Sequence, residues 1–584
     1  MKALSYLNKY FVKYKWRMLL GILFIICSNY FGVKMPLFVK NTVDDIMTTQ
    51  QAEGLNDALL LSLQIGGIYM LLSLGKGFFL FLTRQTIIVT SRYIEFDLKN
   101  EIYNQYQRLS YNFYKKNNTG DIMNRISEDV TQVRQYLGPG IMYTINLAVL
   151  FTLVISEMIA INAQLTLFVL LPLPLMSIVI YKVSSKMNAM SAEVQKQQSL
   201  ISTLVQESFS GIRILKAYTQ EDHNRANFDE NTENYKDKQM KLVLINSLFM
   251  PTIILLIGLS TILAIYLGGL MTYKGELSLG EILAFIIFVN MLTWPFASVG
   301  WVTSIIQRAS ASQERINEFL QENPEIVNEN SDDFTFQGKI EFKNVSYTYP
   351  NSGIKALDNV SFIVKKGETL GIVGSTGSGK TTILNLLMRQ FDPDTGNIFV
   401  DGIDLKEVNL DALRNQSAVI PQEVFLFSDT IANNIKFGST DLKINREAIE
   451  ESTKKSHVHH NIIDFPDSFD TLLGERGVNL SGGQKQRVSI ARALLRNPKL
   501  LLMDDCFSAV DTETEEIILS NLAKEIGNKT AIIVSHRISS LRNADAIIVL
   551  DGHQITEKGT HEELIEIGKI YAEMYERQLA EEVN

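Results

Sequence analysis

The chain has 584 residues, more than one ordinary domain holds, so we expect several domains. Its formal net charge of −9 excludes the nucleic-acid-binding proteins that cover themselves with positive charge, and no nucleic-acid partner is expected. Apolar residues are concentrated in the first half of the chain. Cys27 lies in an apolar segment and Cys506 beside a motif of the second half, so we expect both cysteines to be reduced and unpaired.

The first 310 residues contain apolar windows that are long enough to cross a membrane. A spanning helix needs about 20 mostly apolar residues. Six windows meet this length with few or no charges: 18–39, 58–83, 141–160, 165–181, 243–271 and 282–306. We therefore predict that residues 1–310 form an all-α, six-helix transmembrane domain in a lipid bilayer.

Basic residues set the predicted orientation, because cytoplasmic segments retain lysine and arginine. The N-terminal segment is basic, with Lys2, Lys9, Lys13, Lys15 and Arg17. The connection after the first window is acidic, with Asp44, Asp45, Glu53 and Asp57 against Lys40. The N-terminus is therefore predicted to be cytoplasmic. The first window is too long for a signal-peptide core and lacks a small-residue cleavage site, so we interpret it as a retained span.

The connections between windows differ strongly in length. Residues 84–140 and 182–242 are long, polar and compatible with helix, whereas residues 162–164 form a tight outer turn. At 1.5 Å per residue, such helices extend tens of ångströms beyond a bilayer, about far enough to reach a soluble domain. Glu157 is the one acidic residue inside a window, and its place about one turn from the outer end favours a structural role over a substrate or proton role.

After the membrane half, the composition changes to a charged helix at Ser312–Glu322 and a polar stretch. We assign residues 311–337 to an elbow helix and linker. From residue 338 to 584, apolar strands alternate with amphipathic helices, which is typical of an α/β domain.

A phosphate-binding loop lies near the start of this second half. The motif follows the apolar strand 369–373 and opens a helix, which is its required context. Its residues are Gly374, Ser375, Thr376, Gly377, Ser378, Gly379, Lys380 and Thr381, and Thr382 is assigned to the same site. Glycines let backbone amides approach phosphates, Lys380 meets their charge, and Thr381 is a candidate Mg²⁺ ligand.

A second acidic motif supports a nucleotide site. The apolar strand 500–503 ends in Asp504, where a Walker-B carboxylate would hold Mg²⁺. An acidic pair at a strand end is more often an exposed turn when it stands alone. Together with the P-loop, it predicts an ATPase that uses ATP and Mg²⁺.

The segment Leu480-Ser-Gly-Gly-Gln484 directly precedes the Walker-B strand, and with it the chain resembles the ATP-binding cassette family. The membrane half precedes the cassette along the chain, and this order resembles that of a type-IV, subfamily-B-like half-exporter. Further positions match family motifs in order: Tyr349 the adenine-stacking aromatic, Gln422 the Q-loop, Glu475 the X-loop, Asp511 the D-loop and His536 the switch histidine. The resemblance implies a multidomain protein, a helical transmembrane domain followed by an α/β P-loop NTPase domain.

The resemblance also implies a dimer. Two cassettes are expected to pair head to tail, so that the signature residues Ser481, Gly482, Gly483 and Gln484 contact ATP bound to the partner's P-loop. Gln422 is expected to join Thr381 and Asp504 around Mg²⁺. Residues 108–118 and 211–221 resemble coupling helices that sit in a cassette groove, so that cassette closure turns the membrane cavity outward.

One position departs from the family pattern. The family places glutamate after the Walker-B aspartate to orient or deprotonate the attacking water, but this chain has Asp505. A shift of ~1 Å in a catalytic group can cost ~10²-fold in rate. Asp505 resembles the degenerate-site subunit of heterodimeric bacterial multidrug exporters, which favours a second half-transporter as partner. His536 and Gln422 are present, so Asp505, His536 and Gln422 are the candidate catalytic residues and a homodimer stays possible.

The favoured function is ATP-driven export of amphipathic small molecules, of the multidrug type, by alternating access. A lipid flippase and a peptide exporter are alternatives within transport. A nucleotide-gated regulatory or channel-like membrane protein with little turnover is an alternative of another class. The topology suits a bacterial inner membrane with the ATPase domain in the cytoplasm.

Overall fold

The structure is a computed structural model that describes residues 2–48, 55–328, 330–441, 443–527 and 529–583. Glu53, one of the acidic residues used for the orientation, lies outside these ranges. The chain divides into two compact units. The membrane unit comprises Met1–Gln107 and Thr119–Glu322, and the cassette unit comprises Arg108–Asn118 and Asn323–Asn584.

The membrane unit is helical. The α-helices up to Gln321 are α1 Asn8–Lys13, α2 Lys15–Thr48, α3 Leu55–Thr83, α4 Val89–Arg108, α5 Tyr111–Lys116, α6 Thr119–Asn124, α7 Val130–Gln135, α8 Ile141–Ile161, α9 Ala163–Leu170, α10 Pro172–Ser210, α11 Ile212–Ala217, α12 Glu221–Tyr273 and α13 Leu279–Gln321. Of these, α5 belongs to the cassette unit. A 3₁₀-helix at Lys2–Leu7 precedes α1, and π-helical turns at Arg84–Ile88, Arg125–Asp129 and Tyr136–Gly140 join consecutive helices.

Five helical stretches in the described residues are long and apolar enough to cross a membrane. They are Lys15–Met47, Ser62–Arg108, Thr119–Ile161, Glu221–Tyr273 and Leu279–Gln321. The predicted window 165–181 is not among them. It is divided between α9 and α10 by a turn at Leu171, whose backbone angles stay helical at φ −55° and ψ −39°. Pro172, which follows this turn, has no backbone N–H to donate to a helical hydrogen bond. The predicted helical class of this half is confirmed, and the count of six single spans is approximate.

The helices extend well beyond one membrane thickness. α10 has 39 residues and α12 has 53, which correspond to lengths of about 58 Å and about 80 Å. The predicted helical continuation is therefore confirmed for residues 182–242, with an interruption around α11, and residues 84–140 are helical in shorter pieces, α4 to α7 and the π-helical turns that adjoin them. Phe285 and Phe288 of α13 are fully buried in the core of the unit, together with Val154 of α8 and Leu165 of α9.

The intramembrane carboxylate Glu157 has a partner. Lys34 Nζ of α2 lies 3.1 Å from Glu157 Oε1 of α8. Both side chains lie in apolar helices, where a lone charge is costly and a paired one less so. The structure therefore adds an ion pair between two helices to the structural role favoured from the sequence.

The cassette unit contains ten strands: β1 Ile340–Thr348, β2 Lys355–Val364, β3 Thr369–Gly374, β4 Thr395–Val400, β5 Ile403–Asp404, β6 Ser417–Ile420, β7 Leu500–Asp504, β8 Thr530–Val534, β9 Ala546–Asp551 and β10 Gln554–Gly559. Its remaining α-helices are α14 Lys380–Leu387, α15 Leu410–Asn415, α16 Ile431–Lys436, α17 Arg446–Lys455, α18 His459–Ile463, α19 Gly482–Leu495, α20 Thr512–Ile526, α21 His561–Ile567 and α22 Ile570–Val583.

Two sheets organise this unit. An antiparallel sheet has the order β2-β1-β4-β5, and a second sheet has the order β10-β9-β3-β8-β7-β6. From β9 to β6 every neighbouring pair is parallel. β7 and β8 are buried along their whole length, as expected for parallel strands covered on both faces. This arrangement brings the carboxyl ends of β3, β8, β7 and β6 to one edge.

The boundary between the units lies inside the predicted elbow and linker. α13 continues to Gln321, and the membrane unit ends at Glu322. The start of the cassette is anchored by Asp401, whose carboxylate accepts hydrogen bonds from the backbone N–H groups of three successive residues, Gln337, Gly338 and Lys339.

We predict that Leu502→Ala destabilises the cassette unit by about 2–5 kcal/mol, because it leaves a cavity in a fully buried core. Leu502 in β7 is 0% exposed. Scanning calorimetry of the detergent-purified protein measures the effect. Ile567→Ala is the control: Ile567 is 48% exposed, and its truncation should change stability by about 0.5 kcal/mol or less. Equal shifts for both variants would contradict the assignment of the core.

Candidate functional site

The loop between β3 and α14 can be built only with glycine at two positions. Gly374 and Gly379 have positive φ values, +159° and +100°. A Cβ atom on Gly374 would lie 2.2 Å from the Leu550 carbonyl oxygen, and one on Gly379 would lie 2.1 Å from that of Ala356. The loop therefore turns tightly and leads straight into the N-terminus of α14, a site that favours anions.

Lys380 and Ser378 are held within this loop. Lys380 Nζ donates to the carbonyl oxygens of Gly374 and Ser375, both at 2.8 Å. Burial lowers the pKa of Lys380, against the opposing effect of Asp505 and Asp504. The Ser378 hydroxyl is buried and has no hydrogen-bond partner among the described residues. A buried, unpartnered hydroxyl in a tight loop fits an anionic ligand that supplies the missing acceptor.

Asp504 ends the buried strand β7 and faces the start of α14. The Thr381 hydroxyl donates to Asp504 Oδ1 at 3.0 Å. Burial raises the pKa of Asp504 above its ordinary value; the Asp505 charge adds to this effect, and the Thr381 hydrogen bond opposes it. The carboxylate is thus kept in the interior at a cost in stability, which is typical of groups positioned for a ligand.

Asp505 lies at the centre of a second set of contacts. Its backbone has φ +46°, and its N–H donates to the Val534 carbonyl oxygen at 2.8 Å. His536 Nδ1 lies 2.6 Å from Asp505 Oδ1, and Gln422 Nε2 donates to Asp505 Oδ2 at 3.2 Å. Of the three residues proposed from the sequence as catalytic, Asp505 therefore contacts the other two directly, one through each of its carboxylate oxygens.

Most of the predicted nucleotide-site residues line a single cavity of about 320 Å³. Those lining it are Tyr349, Thr376, Gly377, Gly379, Lys380, Thr381, Thr382, Gln422, Asp504, Asp505 and His536. Ile354, Ala356 and Val534 also line it and were missed, since apolar residues at these positions carry no chemical signature. Gly374, Ser375 and Ser378 are in the loop but are not among the lining residues.

The signature segment is apart from this cavity. Ser481 caps α19: its Oγ accepts from the Gln484 N–H at 3.3 Å, and Gln484 Oε1 accepts from the Ser481 N–H at 2.9 Å. Ser481, Gly482, Gly483 and Gln484 are not among the residues that line the cavity. Gln486 ties the start of α19 to the segment before α20 by contacts with Ser508 and Ala509.

The loop that carries His536 is held from two sides by residues that the sequence gave no reason to select. From α22, Gln578 Nε2 donates to the His536 carbonyl oxygen at 2.6 Å, and Gln578 Oε1 accepts from the Ile538 N–H at 2.8 Å. From α20, the buried Glu515 Oε2 accepts from Arg537 Nη1 at 2.8 Å. Long sequence separation hides these contacts from any local pattern.

Comparisons with known proteins identify the family. The ABC transporter transmembrane region model matches residues 18–296, and the ABC transporter model matches residues 357–508. "Probable multidrug resistance ABC transporter ATP-binding/permease protein YheI" of Bacillus subtilis is 35% identical, with 99% of this chain and 97% of that protein covered. "Multidrug resistance-like ATP-binding protein MdlA" of Escherichia coli is 39% identical, with 83% and 82% covered.

Two further proteins extend the comparison. An "ATP-dependent lipid A-core flippase" of Aromatoleum aromaticum is 34% identical, with 83% of this chain and 80% of that protein covered. The solved structure of a bacterial Atm1-family ABC exporter with ATP bound matches with a TM-score of 0.79 at 26% identity, covering 96% of this chain and 99% of that one.

The chain therefore belongs to the ABC transporter family, as a half-transporter in which the membrane and ATP-binding regions are fused. It is a multi-pass integral membrane protein with an ATP-binding domain, and it is an ATP-driven exporter. The resemblance stated from the sequence is confirmed at this level.

We predict that Asp504→Asn raises the unfolding temperature of the nucleotide-free protein at pH 7. The folded-state pKa of Asp504 is raised above its unfolded value, so its ionisation costs stability as the pH rises from the unfolded pKa through the folded pKa. The difference between the two proteins should therefore shrink as the pH is lowered toward about 4.

The same variant should lose at least about tenfold in Mg²⁺-dependent ATP affinity. Calorimetric binding with and without Mg²⁺ measures this loss. Asp551→Asn is the control, since Asp551 is an exposed aspartate at the end of β9 that does not line the cavity. A variant that is both less stable and normal in Mg²⁺-dependent binding would contradict the role of Asp504.

Proposed function

We propose that this exporter moves amphipathic small molecules of the multidrug type out of the cell. The observation that carries the ATP-driven part is the cavity in which the P-loop lysine, two carboxylates and a histidine meet. The names of two relatives, both multidrug resistance proteins, favour the cargo class. The name of the third, a lipid A-core flippase, supports lipid export as the second candidate.

An aromatic group in the membrane unit supports an amphipathic cargo. The Tyr143 ring of α8 lies 5.5 Å from the Trp294 ring and 5.3 Å from the Trp301 ring, both of α13. Trp294 is 54% exposed and Trp301 is 45% exposed. Exposed aromatic rings bind flat, partly apolar molecules by stacking and burial.

In the proposed site, the residues share the binding of Mg-ATP. Lys380 and the amides at the start of α14 hold phosphate charge, and Ser378 donates to a phosphate oxygen. Thr381, Asp504 and Gln422 hold Mg²⁺, for which hydroxyl, carboxylate and amide oxygens are suitable ligands. When bound, Mg²⁺ neutralises charge on the phosphate oxygens. Tyr349 offers its ring to the adenine.

Asp505 and His536 are proposed to act on the attacking water. Asp505 is held by two neighbours, His536 and Gln422, and is one methylene shorter than the glutamate of the family pattern. We propose that this makes hydrolysis at the site slow, since the position of the base decides the rate. The partner cassette would then supply the faster site.

The assembly we propose is a dimer with a second half-transporter, and a heterodimer is favoured over a homodimer. The signature residues Ser481 to Gln484 lie at the exposed start of α19, away from this chain's own cavity. Residues 211–221, proposed as the second coupling segment, present Ile212, Ile214 and Tyr218 to the exterior. Both features suit contacts with a partner chain in a bacterial inner membrane, with the cassettes and the N-terminus cytoplasmic.

We predict that Lys380→Ala, in vesicles that contain this chain alone, abolishes ATP hydrolysis and cargo transport, since every P-loop then lacks the fixed charge at the phosphates. Reconstituted vesicles loaded in parallel with a fluorescent amphipathic dye or a labelled lipid measure transport, and phosphate release measures hydrolysis. Lys366→Ala, in the turn before β3, is the control for a removed lysine. Dye transport supports the favoured cargo, lipid movement without dye transport supports a flippase, and ATP binding with neither supports a nucleotide-gated protein.

We predict that Asp505→Glu accelerates hydrolysis at this site by about 10- to 100-fold, because the longer side chain restores the reach of the base. The measurement is the turnover of the protein expressed alone, with its mass determined and Lys380→Ala as the blank. A wild-type homodimer that already turns over well above the blank would contradict both the slow site and the favoured heterodimer.

A further inference from the structure

The ammonium group of Lys115 lies over three aromatic rings of the cassette unit. Its Nζ is 4.8 Å from the centre of the Tyr349 ring, 5.2 Å from that of Phe391 and 5.4 Å from that of Tyr111. The Phe391 ring in turn lies 5.8 Å from the rings of both Tyr349 and Tyr111. We name this set the Lys115 cluster: Lys115, Tyr111, Tyr349 and Phe391.

Tyr349 borders two cavities. One is the nucleotide cavity of about 320 Å³ described above. The other, of about 280 Å³, is lined by Asn112, Lys115, Tyr349, Pro350, Asn351 and Ser352. The Tyr349 ring is therefore shared between the nucleotide cavity and the 108–118 segment, which the chain connects directly to the membrane helices α4 and α6.

The ring of Tyr349 is held in place around its edge. Its hydroxyl lies 3.0 Å from the Thr382 hydroxyl, and its backbone N–H donates to the Ile354 carbonyl oxygen at 2.9 Å. The Tyr347 ring contacts it edge-on at 5.1 Å. Lys115 adds a cation over the ring, and burial lowers the pKa of this lysine, as expected for a partly desolvated ammonium group. Desolvation strengthens a cation–π contact.

We propose that Lys115 is a positioning residue for nucleotide recognition: it fixes the Tyr349 ring from the side of the 108–118 segment so that the base of the nucleotide stacks on that ring. This inference rests on the proposed role of Tyr349 in the nucleotide site. Through Lys115, binding of the base and placement of the 108–118 segment would stabilise each other reciprocally. This coupling would act in addition to the contacts that the protein makes with the phosphates.

The neighbouring lysine supplies a matched control. Lys116 Nζ lies 2.8 Å from Glu325 Oε1, so its charge is paired with a carboxylate. Lys115→Ala and Lys116→Ala remove the same charge from the same short helix, α5. They differ in whether an aromatic contact at the nucleotide site is lost.

The test measures equilibrium binding to the full-length protein in lipid nanodiscs. We compare the dissociation constant of Mg-ATP with the inhibition constant of inorganic tripolyphosphate, which has no base and is measured by its competition with ATP. Lys115→Ala should weaken ATP binding by about two- to thirtyfold, the range of a cation–π contact, and leave tripolyphosphate binding unchanged. Lys115→Arg, which keeps a cation over the rings, should bind ATP within about twofold of the wild type, and Lys116→Ala should match the wild type for both ligands.

The Tyr349→Ala background completes the experiment as a double-mutant cycle. The effect of Lys115→Ala should vanish there. Unchanged ATP affinity in Lys115→Ala, an equal loss for tripolyphosphate, or an effect that persists without Tyr349 would each overturn the inference. Lys380→Ala separates this failure from failure of the proposed function: if it abolishes ATP binding while Lys115→Ala has no effect, only the Lys115 inference falls.

Discussion

Four neighbouring parallel strands end at one edge of the larger sheet, and the placement of the whole nucleotide site depends on that edge. β3 leads into the P-loop, β8 precedes His536, β7 ends in Asp504, and β6 precedes Gln422. In open α/β sheets, ligands bind outside the carboxyl ends of the strands. Hydrogen bonding between the strands thus fixes, to within a residue, groups that come from four distant parts of the sequence.

The same edge explains why the site stores an unfavourable charge. Asp504 is the last residue of a strand that is buried throughout, so its carboxylate cannot turn toward solvent without breaking the strand. Burial raises its pKa, and the Thr381 hydroxyl offsets only part of this cost. A bound cation would offset the rest. Asp505, one residue further, leaves the strand through a left-handed backbone conformation, which turns its carboxylate toward His536 and Gln422 instead.

Sequence reasoning found those parts of the site whose requirements are local. Glycine is needed at positions 374 and 379 because a Cβ atom there would lie 2.2 Å or less from a backbone carbonyl oxygen. The spacing of the motif shows this requirement in the sequence. The fully apolar strand before Asp504 is equally local. The change from long apolar windows to alternating strands and helices separates the two halves, and the motifs of the second half together with the family resemblance define it as a cassette.

The parts that sequence reasoning missed depend on contacts between distant residues. Lys34 lies in an apolar window far from Glu157, and nothing in either window shows that the two pair. Gln578 of α22 and Lys115 of α5 are polar residues outside any motif, and only the fold brings them to the switch loop and to Tyr349. The turn at Leu171 could not be located from the sequence, because prolines also lie within the continuous helices α2, α12 and α13, so Pro172 by itself marks no helix end.

The position of the signature segment constrains how the exporter is assembled. The capping of α19 uses the oxygen of Ser481 as an acceptor, which leaves the hydroxyl hydrogen available to donate to an anion. The helix dipole and the small residues Gly482 and Gly483 favour the close approach of that anion. This segment does not line the chain's own cavity. In the dimer proposed above, its donors would face a phosphate held by the partner cassette, and a chain with this signature and a shortened base would then complete the partner's site more effectively than its own.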